Sequence, residues 1–178
     1  GTHRNICGNL LSLAFCNART QMRSAADPAG GGGGRSGGRN VYLLSVPFFH
    51  ATGCHSILVA NLAYGGKLVL MHKWDAGRAL ELIEREKVTT FGGVPAMVWQ
   101  VLEHPDFERR DLSSVRSIGY GGAPAAPELV RRIEAMFPGR TPSNGYGLTE
   151  TSSVTTMNAG FDYRTNPESV GAPVAVCD

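Results

Sequence analysis

Lys67-Leu68-Val69-Leu70-Met71, then Asp75-Ala76-Gly77-Arg78-Ala79-Leu80-Glu81-Leu82-Ile83-Glu84-Arg85-Glu86, then Val88-Thr89-Thr90-Phe91: this stretch carries the clearest fold signal in the chain. The outer two runs are short, apolar and β-branched, the composition of buried strands. In the middle run Asp75 stands where a helix N-cap belongs. Ala79, Leu82 and Ile83 recur on one face, while Glu81, Glu84, Arg85 and Lys87 face water. Strand, amphipathic helix, strand is the unit that parallel sheets are built from, because two parallel strands need a long crossover between them.

The same alternation continues in both directions. Further strands are predicted over 41–46, 115–118 and about 140–143, and further helices over 57–63, 95–102 and 127–136. Strand starts recur every 21 to 27 residues with a helix in each gap. The predicted fold class is therefore α/β, a mostly parallel sheet flanked by helices on both faces. An N-terminal helix is predicted over 2–25, capped by Thr2, with Leu10, Leu11, Ala14, Phe15 and Ala18 at helical spacing. Residues 28–38, almost all glycine from Gly30 onward, read as a flexible loop inside a single domain spanning 1–178. That glycine run is not a phosphate loop, since it lacks a Gly-Lys-Ser/Thr ending and precedes a strand.

Composition narrows the function classes. Hydrophobic content of 42% and charged content of 18% place the chain among soluble globular proteins. A net charge of +2 with no basic run gives no reason to expect nucleic acid or an anionic membrane as partner. No apolar run approaches the roughly 20 residues of a transmembrane segment. Cys7, Cys16, Cys54 and Cys177 form no Cys-x-x-Cys pair, which fits a reducing, cytoplasmic setting better than a disulfide framework. The start at Gly1-Thr2-His3 reads as a piece of a longer protein.

In sheets of this kind ligands bind beyond the carboxyl ends of the strands. That rule points to four loops. Pro47-Phe48-Phe49-His50 offers two aromatics and a histidine. On spacing alone a core pair and an interior histidine are the favoured reading, ahead of an acyl pocket. His50 and His55 do not make a metal pair, because only Cys54 lies at ligand spacing. Gly92-Gly93-Val94-Pro95 is an ordinary strand-to-helix turn with Pro95 at the first helical position. Gly119-Tyr120-Gly121-Gly122-Ala123-Pro124 lets a flat ligand approach the backbone. Asn144-Gly145-Tyr146-Gly147-Leu148-Thr149-Glu150 is the most informative. It sets a ring suited to a purine, a hydroxyl suited to a phosphate, and a hard carboxylate suited to Mg²⁺ within five residues.

Taken in order, Pro47-Phe48-Phe49-His50, Gly93-Val94-Pro95-Ala96, Gly121-Gly122-Ala123-Pro124 and Tyr146-Gly147-Leu148-Thr149-Glu150 resemble the adenylate-forming superfamily. That superfamily comprises acyl-CoA synthetases, firefly-type luciferases and peptide-synthetase adenylation domains. Ser169-Val170-Gly171-Ala172-Pro173 is similar to the segment that follows, and Thr2-His3-Arg4-Asn5 to the stretch after the family's phosphate loop. The wording is most like an acyl-CoA ligase acting on a fatty or related acid. The resemblance implies that acyl-AMP is made from a carboxylate and ATP with Mg²⁺, and that the acyl group then passes to coenzyme A. It assigns Gly121, Gly122, Ala123 and Pro124 to the adenine and acyl pocket. Asn144 and Tyr146, with Gly145 and Gly147 beside them, go to adenine, Thr149 to the phosphate, Glu150 to the metal, and His50 to the neighbourhood of the α-phosphate.

The same resemblance implies that the phosphate loop lies before Gly1. The ribose-binding Asp and the catalytic Lys of a mobile C-terminal domain would lie after Asp178. The isolated chain is accordingly expected to be inactive, its partners being the remaining parts of the enzyme and the small-molecule substrates. The alternatives are a non-catalytic nucleotide- or acyl-binding α/β module, and a fragment of another adenylate-forming enzyme.

Overall fold

The computed structural model describes residues 1–25, 38–140 and 142–176. Most of the predicted loop at 28–38 lies outside the described residues, as does Cys177. Cys7, Cys16 and Cys54 are free thiols.

Among the described residues seven strands form one sheet in the order β2-β1-β3-β4-β5-β6-β7. The strands β1 (Val41–Leu44), β2 (Lys67–Leu70), β3 (Thr90–Gly93), β4 (Ser117–Gly121) and β5 (Pro142–Leu148) are parallel. The last two, β6 (Ser153–Ala159) and β7 (Ala172–Pro173), are antiparallel additions at the β5 edge. All five predicted strands are present, and β3, β4 and β5 each start about two residues late. Neither β6 nor β7 was predicted, and Asn144–Leu148, read as loop, are the second half of β5. The reason is physical: Gly145, Gly147 and the polar run of β6 carry no apolar alternation, and the pairing between them supplies what side-chain burial does not.

The helices follow the predicted order. They are α1 (His3–Ala25), α2 (Val59–Ala63), α3 (Ala76–Glu86), α4 (Pro95–Leu102), α5 (Pro127–Met136) and the unpredicted α6 (Phe161–Thr165). A π-helical segment, Thr52–Leu58, runs directly into α2. The chain moves from β1 to β2 in one direction across the sheet, and from β2 through β3 and β4 to β5 in the other. With right-handed crossovers the π-helix and α2 must then lie on one face and α3, α4 and α5 on the opposite face. Packing agrees: α3 touches α4, α4 touches α5, and α1 touches both the π-helix and β6.

The main core lies under α3, α4 and α5. Leu43, Phe91 and Ile118 stand side by side in register across three strands and are almost fully buried. Against them pack Leu80 and Ile83, Val98 and Val101, and Leu129 and Ile133. Asp75 caps α3 as predicted, its Oδ1 accepting from Arg78 N at 2.7 Å, and Lys87 ends the helix in the left-handed region. Pro95 and Pro127 occupy first-turn positions.

The N-terminal helix differs from expectation. Thr2 does cap it, accepting from Asn5 N. However, Leu11 and Phe15 face outward, and its buried side is Asn9, Ser12 and Cys16. The spacing of apolar residues pointed to the wrong face, because the neighbour of α1 is a polar hairpin that hydrogen-bonds to it. Among the described residues no helix is long and apolar enough to cross a membrane.

Candidate functional site

The strand order 2-1-3-4-5 reverses at β1, and in such sheets the crevice opens at the carboxyl ends on either side of the reversal. Because β1, β3, β4 and β5 are parallel, the segments that follow them leave from this one edge. Three close approaches stitch them together. A Cβ placed on Gly93 would come 3.7 Å from Ser45 Oγ, and one on Gly122 would come 3.9 Å from Val94 Cγ1. A Cβ on Gly121 would come 2.3 Å from the Gly145 carbonyl oxygen, so β4 and β5 meet there only because residue 121 has no side chain. The Ser45 hydroxyl is buried without a hydrogen-bond partner among the described residues.

The segment 144–150, predicted as a loop, is part of a hairpin. In β5, Pro142, Asn144 and Tyr146 alternate with Ser143, Gly145 and Gly147, and the pairing with β6 shifts register between Tyr146 and Gly147. A bulge at such a point re-aims the side chains beyond it. The turn itself is a 3₁₀ segment, Thr149–Thr151, closed by Ser152 N donating to the Thr149 carbonyl at 3.1 Å. Thr151 Oγ1 accepts from Leu148 N at 3.1 Å and locks the turn from inside.

Three groups on this hairpin are left over. The Tyr146 ring is 47% exposed. The Thr149 hydroxyl and the Glu150 carboxylate are exposed and have no hydrogen bond or ion pair among the described residues. Aromatic face, hydroxyl and carboxylate are thus all available to a ligand at the carboxyl edge. Gly122, Ala123 and Pro124 are likewise exposed just beyond β4.

Asn144 is placed differently. It stands in register with Tyr120, and its side chain lies near the Tyr163 hydroxyl, which it acts to lower against the effect of burial. Tyr120 in turn donates to Tyr163 Oη at 3.1 Å. Burial, followed by this hydrogen bond, pushes the Tyr120 hydroxyl far above its ordinary value, and burial raises Tyr163 as well. The trio ties β4, β5 and α6 together beneath the edge.

At the far side of the edge, Phe48 is 46% and Phe49 93% exposed, so neither belongs to the core. His50 is exposed and its Nδ1 accepts from Thr52 N at 3.2 Å, which leaves Nε2 as the protonated nitrogen of the neutral ring. A cavity of about 320 Å³ lined by Phe107, Arg110, Met136, Phe137 and Arg140 lies at the opposite end of the sheet, near the starts of β4 and β5. It shares no residue with the four loops.

Sequence reasoning did not anticipate the contacts behind the hairpin: Asn9, His55 and Ser56 against Ser152, Ser153 and Val154. Residues 97 positions apart meet here, and no local spacing announces them.

The sequence matches a family described as AMP-binding enzyme over residues 1–178. The chain belongs to that family. Among AMP-binding relatives it is similar to a 4-coumarate–CoA ligase of Humulus lupulus, 38% identical over 133 residues, 75% of this chain and 24% of the relative. A 4-coumarate–CoA ligase-like protein of Oryza sativa subsp. japonica is 35% identical over 170 residues, 96% of this chain and 30% of the relative. Among solved structures, O-succinylbenzoate coenzyme A synthetase of Bacillus subtilis in complex with AMP superposes with a TM-score of 0.76. It is 25% identical, over 99% of this chain and 32% of that one. The fatty acyl CoA synthetase of Mycobacterium tuberculosis gives a TM-score of 0.71 at 28% identity, over 77% of this chain and 27% of that one. The AMP-binding chain thus spans about a quarter to a third of the length of the relatives it matches.

Proposed function

We propose that this chain carries the nucleotide-reading half of an acid–thiol ligase. The whole protein would activate a carboxylic acid with ATP as acyl-AMP, release pyrophosphate, and pass the acyl group to coenzyme A. The observation that carries this reading is the β5–β6 hairpin. It offers an exposed ring, an uncommitted hydroxyl and an uncommitted carboxylate at the carboxyl edge of a parallel sheet.

In this reading the Tyr146 ring stacks on adenine, and the backbone of Gly121, Gly122, Gly145 and Gly147, open at Gly122 and Gly145, walls the base and the acyl group with Ala123 and Pro124. Asn144 reaches the adenine edge by turning away from Tyr163. Thr149 donates to a phosphate oxygen. His50, with its Nε2–H free, donates toward the α-phosphate side. Attack of a carboxylate on the α-phosphate builds negative charge on the phosphate oxygens, which pre-placed donors stabilise. Among the described residues no cluster of three His, Cys, Asp or Glu side chains forms a metal cage. A lone free carboxylate at Glu150 fits Mg²⁺, which binds through one or two carboxylates plus nucleotide phosphates. When bound there it would supply charge neutralisation for those phosphates.

For the acid, we favour a fatty or related carboxylate. The relatives named for 4-coumarate, at 35% identity and above, support an aromatic acid of that kind as a second reading. A cytoplasmic location is part of the same proposal. The 178-residue chain by itself should show little turnover, and robust carboxylate-dependent ATP–pyrophosphate exchange by it would refute that part.

Calorimetry tests the site. Mg²⁺-ATP and an acyl-AMP analogue should bind the chain, and Glu150→Ala should weaken the Mg²⁺-dependent ATP binding about tenfold or more, the loss of one charge-assisted contact. Equal affinity in both proteins would leave a non-catalytic α/β module as the better reading.

A further inference from the structure

Immediately after the turn that bears Thr149 and Glu150, two successive non-glycine residues adopt positive φ: Ser152 at 61° and Ser153 at 111°. For residues with a Cβ such conformations are strained and persist only where the surroundings impose them. Both residues are buried, and the surroundings that impose them can be named. His55 Nδ1 lies 3.2 Å from the Ser152 carbonyl oxygen and 3.3 Å from its hydroxyl. A carbonyl only accepts, so a bond to it takes the tautomer with the proton on Nδ1, whereas the other tautomer would leave Nδ1 accepting from the Ser152 hydroxyl. Ser56 Oγ and Ser153 Oγ are 2.5 Å apart. Buried Asn9 completes the arrangement: its amide donates to the His55 carbonyl at 3.2 Å and accepts from Val154 N at 3.2 Å.

The π-helical wind places His55 and Ser56 for this contact. Such segments widen the helix by one residue per turn and recur at functional sites. Here two neighbouring side chains, His55 and Ser56, bond to two neighbouring residues of the hairpin.

We propose that His55 is a positioning residue. Through Nδ1–H to the Ser152 carbonyl it holds the 149–151 turn in the conformation that presents Thr149 and Glu150. It touches neither nucleotide nor metal. The inference rests on the nucleotide reading above for its consequence, but the clamp itself stands on the contacts alone.

The chemistry dictates the test. Asparagine carries its amide N–H where histidine carries Nδ1–H, whereas glutamine places it farther out, near Nε2. His55→Leu in the 178-residue chain should speed amide hydrogen exchange at residues 149–152 at least about tenfold, while the amides of Phe91 and Ile118 keep their protection. His55→Asn should restore slow exchange, and His55→Gln should not. Binding of Mg²⁺-ATP should weaken about tenfold in His55→Leu, the value of one hydrogen bond, and recover in His55→Asn. Should His55→Leu not fold, His55→Gln, polar and of similar volume, carries the same comparison.

Unchanged exchange at 149–152 in both variants would overturn the clamp. Faster exchange with unaltered ATP affinity would overturn its role in presenting the site. Absence of ATP binding by the unaltered chain would refute the nucleotide reading instead, and the exchange pattern would then decide the clamp by itself.

Discussion

Gly145 and Gly147 look interchangeable in the sequence, yet the structure separates them. A Cβ on Gly147 would sit 1.6 Å from the Ser153 carbonyl oxygen and 2.9 Å from Val154 Cα. Reaching ordinary contact needs a shift of roughly 1.8 Å, which the surrounding backbone cannot absorb while Leu148 stays paired with Ser153. A Cβ on Gly145 would meet nothing within 4 Å. Gly147→Ala should therefore cost about 3 kcal/mol, the upper part of the range for overpacking with loss of ladder hydrogen bonds. Gly145→Ala should be neutral or stabilise by up to about 1 kcal/mol, since alanine loses less backbone entropy than glycine in a strand. Urea unfolding followed through Trp74 and Trp99, both packed on the core, reads this directly. The Gly147→Ala midpoint should fall by about 1 M or more, and that of Gly145→Ala should not fall. Equal midpoints for the two variants would refute the close approach at Gly147. The open space above Gly145 lies within the proposed adenine wall, so Gly145→Ala should weaken ATP binding while leaving stability intact.

Other expectations can be checked on the same protein. Asp75→Ala removes the cap of α3 and should cost about 1 kcal/mol, or roughly 2–4 °C in Tm for a chain of this size; an unchanged Tm would contradict it. Tyr163→Phe leaves the buried Tyr120 hydroxyl without its acceptor and should destabilise by about 1–3 kcal/mol, with Tyr120→Phe added to it costing less than the sum. The Asp111 carboxyl is held well below its ordinary range, first by Lys87 and then by Ser113. Glu84 is lowered first by the Asp111 N–H and then by Arg110. Groups with depressed folded-state pKa values contribute stability above their unfolded values, near 4, and lose it as pH falls through the folded ones. Tm should thus be flat between about pH 5 and 7 and decline below about pH 4, and Asp111→Asn should make that decline shallower; an unaltered acid slope would contradict the pairing.

The sequence was most readable where side-chain burial drives structure. Ala79, Leu82 and Ile83 announced α3, and Val41, Val69, Phe91 and Ile118 announced the sheet, because each sits at a position whose exposure would be costly. It was least readable where backbone pairing and polar contacts take over. β6 has too little apolar character to mark a strand, and α1 buries Asn9 and Ser12 rather than Leu11 and Phe15. The motif residues Tyr146, Thr149 and Glu150 could be singled out by their chemistry. Their setting on a hairpin could not, since it depends on a partner strand that follows the motif. His55 was weighed only as a metal ligand for the same reason: its partner is Ser152, far away in the chain.

Nucleotide is proposed to bind at the carboxyl edge, across the β5–β6 hairpin and the glycine-rich end of β4. Mapping amide chemical-shift changes on addition of AMP and of Mg²⁺-ATP tests it most directly. The largest changes should fall at Gly121, Gly122, Gly145, Tyr146 and Thr149, with Glu150 responding to the Mg²⁺ complex. Changes confined to the opposite end of the sheet, around Phe107, Phe137 and Arg140, or no changes at all, would contradict it.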